Sequence, residues 1–76
     1  MGNKSIYRET LIRSGVNSLG TFGYPDVRPE NLLTDPLYSA FFKSMLEGEL
    51  DEVQRANPAV AGVMRELISE CAGLSA

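Results

Sequence analysis

Four carboxylates, Glu47, Glu49, Asp51 and Glu52, crowd into six residues. That density is what a hard divalent cation needs. A calcium loop also needs order: oxygen ligands at alternating positions, a glycine at the sixth and a glutamate at the twelfth. Counted from Glu47, the glycine comes second, as Gly48, and the twelfth residue is Pro58. The pattern fails. Mimicry of nucleic-acid phosphates would need far more charge than the chain's net −3. The expectation is a solvated helix junction, where Glu47 and Asp51 would repel at a spacing of four.

Glu66 and Glu70 share that spacing near the C-terminal end. Two carboxylates one turn apart can ligate a metal in a helical bundle, but such sites also draw on Glu-x-x-His pairs. The chain has no histidine, so an exposed polar face is expected. Cys71 is the single cysteine. A nucleophilic thiolate needs a base or a positive neighbour to lower its pKa, and none is close in sequence. Cys71 reads instead as a small buried hydrophobe. No catalytic residue, metal ligand or cofactor site is expected, and the chain is read as a non-enzyme, because no side chain titrates near neutral pH in its unperturbed state.

Lys4, Arg8 and Arg13 form a sparse basic face. It is a solvated surface, or a contact for an acidic partner, or a contact for the chain's own acidic half. Residues 1–33 carry net +1 and residues 34–76 net −4. Phosphate neutralisation is therefore disfavoured as a general binding mode. Gly15, Gly20 and Gly23 have the wrong spacing for a phosphate loop, and no Lys-Ser pair follows them. Met1-Gly2 raises N-myristoylation, but the position that wants serine or threonine holds Ile6. No apolar run reaches the ~20 residues that span a bilayer, so no membrane partner is expected. No apolar export segment is read at the start. With one unpaired cysteine, that points to a reducing, intracellular and cytoplasmic setting.

The elements that must position these residues are helical. Hydrophobic residues make up 43% of the 76 and charged residues 22%, an ordinary globular balance. A chain this short has a thin core and often leans on disulfides, metals or a partner. The first two supports are missing, which leaves partner binding or self-association, along with a compact core that is just sufficient.

Residues 5–14 read as a short helix. Tyr7 and Leu11 are four apart, as are Ile12 and Val16. Asn3 or Ser5 caps the start and Gly15 the end. Residues 15–33, punctuated by Gly15, Gly20, Gly23, Pro25 and Pro29 but rich in apolar side chains, read as an ordered, mostly extended arm. Asp35-Pro36 is a helix start. From there Leu37–Phe41–Met45 and Phe42–Leu46–Leu50 form two adjacent rows. Gly48 weakens that helix by about 1 kcal/mol relative to alanine, which balances a break or kink there against an unbroken helix. Asn57-Pro58 repeats the start signal. The last helix carries Val60, Val63, Met64, Leu67, Ile68 and Cys71 on one stripe, with Gly73 as its stop.

The fold expected is all-α: one small domain over residues 1–76, with a C-terminal hairpin of helices at about 36–55 and 58–72. The short N-terminal helix (about 5–14) and the arm (15–33) pack across it. Tyr38, Phe41 and Phe42 make the most informative cluster. Neighbours on a helix point about 100° apart, so Phe41 and Phe42 are both covered only if two surfaces meet that helix. The second cover is the arm from 16 to 33 or a partner. Phe22, Tyr24, Tyr38, Phe41, Phe42 and Met45 are therefore the candidate partner-binding residues. The function expected is a small protein–protein interaction module, as an accessory or structural subunit of a larger assembly. A compact inhibitor or adaptor is the alternative. A nucleic-acid-associated regulator using the N-terminal helix is the second, and no small-molecule substrate is expected.

Overall fold

A computed structural model describes residues 2–75 of the chain, with side chains from 3 to 74. The myristoylation reading rests on Met1, which lies outside the described residues. The fold is all-α. Helix α1 spans Gly2–Thr21, a short 3₁₀ helix covers Pro29–Leu33, α2 spans Pro36–Ala56 and α3 spans Pro58–Ser75. No strand occurs among the described residues.

The two proline-marked starts behave as the sequence predicts. Asp35 sits in extended geometry, and its carboxylate accepts a hydrogen bond from the Leu37 N–H at 2.9 Å. Asn57 is the whole connection between α2 and α3. Its N–H closes the end of α2 on the Val53 carbonyl at 2.6 Å, and its own carbonyl accepts from Ala61 at 3.1 Å. Its side-chain oxygen accepts from the Val60 N–H at 3.4 Å. One residue thus finishes one helix and begins the next, which forces α2 and α3 into a tight antiparallel hairpin.

Three boundaries differ from expectation. Helix α1 begins at Gly2, so Asn3 and Ser5 lie inside it and do not cap it. Helix α1 does not end at Gly15; it runs on through Gly15 and Gly20 to Thr21. Gly15 is buried, and a Cβ there would stand 2.7 Å from Phe42 Cδ1 and 2.8 Å from Leu32 Cδ1. The glycine serves close approach of α1 to α2, not a left-handed cap. The stop is Gly23, whose φ is +103°. Tyr24 N–H reaches the Leu19 carbonyl at 3.0 Å and Gly23 N–H reaches the Gly20 carbonyl at 3.2 Å. This bond pair is a Schellman motif with its glycine in place. The arm is correspondingly shorter: only residues 22–28 are non-helical before the 3₁₀ turn. At the third boundary, α3 continues past Gly73 to Ser75. At Gly48, where the sequence balances a break against continuation, α2 runs through unbroken. All peptide bonds are trans among the described residues, Tyr24-Pro25 included.

Every element contributes to one core. Leu19 comes from α1, Val27 from the turn and Leu32 from the 3₁₀ helix. Phe42 and Leu46 come from α2, and Val63, Met64, Leu67 and Cys71 from α3. Val60 and Ile68, at the margins of the α3 stripe, are half-buried. The widest helix contact is α2 on α3, while α1 lies mainly against α3 and the 3₁₀ helix and touches α2 little. This arrangement leaves the outer side of α2 without a neighbouring helix.

Candidate functional site

The Schellman turn that ends α1 also builds the surface around α2. It throws Phe22 and Tyr24 to one side, where they meet two residues one turn apart on α2. Phe22 stands edge-on to Phe41, with ring centroids 5.3 Å apart at 67°. Tyr24 stands edge-on to Tyr38 at 5.7 Å and 78°. Such T-shaped pairs add about 0.5–1.5 kcal/mol each beyond burial. The turn therefore supplies part of the second cover that Phe41 needs. It does so with rings that stay open to solvent: Phe22 is 69% exposed and Tyr24 43%.

Of the six candidate residues, five lie on this surface. Phe22, Tyr24, Tyr38, Phe41 and Met45 surround it, the last three half-buried. Phe42 does not join them. It has no exposed surface and its ring lies against Gly15, so it is a core residue with nothing to offer a partner in the folded chain. Leu37, the first residue of the Leu37–Phe41–Met45 row, is 65% exposed. It stands one turn before Phe41 and extends the apolar surface. Ala40, Ser44 and Gly48 continue it as exposed small residues. The outer face of α2 from Leu37 to Gly48 thus carries no charged side chain. The signal was present in the sequence, since Lys43 is the sole charge between Pro36 and Glu47.

The charged candidates lie elsewhere and partner one another. Lys4 Nζ sits 2.8 Å from Glu66, and Arg8 grips Glu70 with two hydrogen bonds of 2.6 and 2.9 Å. The two rungs advance together, so α1 and α3 run in the same sense along this seam. Hydrogen bonds from Arg8, helped by its charge, hold the Glu70 carboxyl below its ordinary value, and the same contact raises the Arg8 guanidinium. Arg13 pairs with Glu9 at 2.8 Å within α1. The basic face is thus engaged by the chain's own carboxylates. Glu47 pairs with Lys43 at 3.2 Å. No cluster of three potential metal ligands forms among the described residues. Cys71 is fully buried, its thiol 3.9 Å from the Leu32 carbonyl. A shallow groove between α1 and Pro29 is lined by Arg8, Ile12, Arg13 and Val16, and both of its arginines already hold a carboxylate.

No helix among the described residues is long and apolar enough to cross a membrane. No protein-family model matches the chain, and no curated protein or solved structure matches it.

Proposed function

We propose that the chain is a small non-enzymatic protein–protein interaction module, an accessory or structural subunit that docks through the outer face of α2 and the adjoining Phe22–Tyr24 turn. One observation carries this reading. Phe22 and Leu37 remain 69% and 65% exposed beside Phe41, on a face without charge, in a chain small enough that two large open apolar side chains are a substantial liability. Contiguous exposed apolar surface of this kind marks interaction sites. The sequence also has no histidine, the side chain most often used for proton transfer near neutral pH, and its one cysteine is buried.

The alternative, a compact inhibitor or adaptor that folds alone, is favoured by the complete burial of Leu32, Phe42, Leu46, Met64, Leu67 and Cys71. Such a core does not require another chain to close it. The nucleic-acid reading is weakened, because Lys4, Arg8 and Arg13 are each spent on a carboxylate.

Gel filtration of the tagged chain in extract of the cells that make it tests the proposal. The 8.3 kDa chain should elute in a larger assembly. A Leu37→Ser variant should elute free while keeping its melting temperature, since Leu37 is 65% exposed. A wild-type chain that elutes as a free monomer, or a variant that stays in the assembly, would contradict it.

A further inference from the structure

We infer that the partner on the outer face of α2 is a second copy of this chain, packed antiparallel about a two-fold axis near Met45. This rests on the docking reading above and names its occupant.

The charges that border the face carry the inference. Lys43 and Glu47 lie on one flank of α2, two residues before and two after Met45. They are paired with each other at 3.2 Å. A two-fold axis at Met45, perpendicular to α2, brings that same flank of the second copy alongside with its direction reversed. Each Lys43 then faces the Glu47 of the other copy, and each Glu47 faces its Lys43. The face is self-complementary in charge, as an isologous interface requires. The ends agree. Asp51 and Glu52 of one copy, on the turn after Gly48, come to lie over the first turns of the other copy's α2, the positive end of that helix dipole. A parallel pairing would instead set the two acidic runs side by side.

Between the flanks the surface fits another helix. Ala40, Ser44 and Gly48 are exposed and recur at every fourth residue, with open space around Gly48. A second backbone can approach closely along that row. Leu37, Phe41 and Phe22 supply the apolar area beside it. A standard interface buries about 800 Å² per partner, roughly a sixth of the chain's 4924 Å². The face is one side of a single helix with its adjoining turn, so the dimer is expected at the weak end of the range.

Sedimentation equilibrium of the purified chain from about 10 µM to about 1 mM, a range suited to such weak affinity, provides the test. The wild type should rise toward twice its 8.3 kDa mass. Lys43→Glu alone and Glu47→Lys alone should each weaken association tenfold or more, because each places like charges across the axis. Mixed in equal amounts, the two variants should restore it as a heterodimer. Loss of the pair within one chain cannot produce that rescue. Unchanged melting temperatures for both variants will show that the fold is retained.

A wild-type chain monomeric throughout overturns the inference. So does a dimer that both variants form as well as the wild type, or a mixture that associates no better than either alone. If the purified chain is monomeric but elutes in a larger assembly in extract, the second copy is wrong and the docking reading stands. If it is monomeric in both, both fall.

Discussion

Gly15 and Gly20 lie in the same helix, and the structure gives them opposite roles. At Gly15 an added methyl would meet Phe42 and Leu32 at 2.7–2.8 Å. At Gly20 it would meet nothing within 4 Å. Alanine favours a helix interior over glycine by about 1 kcal/mol. Gly20→Ala should therefore stabilise the chain by about 0.5–1 kcal/mol. Gly15→Ala should destabilise it by about 1–3 kcal/mol, because overpacking outweighs propensity. Denaturant unfolding of both variants decides the matter, and equal effects would contradict the close approach of α1 to α2. The sequence could not distinguish these roles. A glycine after an apolar helical stretch reads as a cap, and its use as a contact depends on Phe42, 27 positions later. Phe42 was misassigned to the partner surface for the same reason: local spacing placed it beside Phe41 without saying which of the two met the core.

The elements differ in what holds them. Helices α2 and α3 are joined by buried side chains. Helix α1 is buried only at Gly15 and Leu19, and its side chains from residues 3 to 14 are all exposed or half-buried. The front of α1 therefore depends on partial burial of Tyr7, Leu11 and Ile12 and on the rungs Lys4–Glu66 and Arg8–Glu70. Exposed pairs of this kind contribute about 0.2–1 kcal/mol each and are screened by salt. Glu70 has a depressed pKa in the folded chain, below its ordinary 4.5. Its stabilisation is therefore complete above the ordinary value and is lost as pH falls through the lower, folded one. Relative to the intrinsic exchange rate at each pH, the protection of amides 4–12 should fall below about pH 4 and in about 1 M salt, while residues 42–46 and 63–71 keep theirs. A uniform fall in protection along the chain would contradict the assignment. The hairpin was legible at this scale because its signals are local: Asp35-Pro36 and Asn57-Pro58 each combine a cap with a fixed φ. The length of α1 was not, because its pattern of apolar residues is weak and two interior glycines interrupt it. The ladder was legible only as an option, in the basic front and acidic back of the chain.

At the scale of the whole molecule, a three-helix fold closes its own core and still leaves one side of α2 open. The 3₁₀ turn seals one end of the core with Leu32, and α1 seals the flank with Leu19. Neither reaches the outer face of α2, where Phe22, Leu37 and Phe41 meet solvent around a row of small residues. The sequence made an uncovered aromatic helix visible, but not which aromatic was uncovered. The direct measurement is site-specific photo-cross-linking in the cells that make the protein. A photoreactive residue at Leu37 is compared with one at Ser69, an exposed position on α3. Docking through α2 predicts a discrete cross-linked species from position 37 and little or none from position 69. Equal yields from the two positions, or none from position 37, would contradict it.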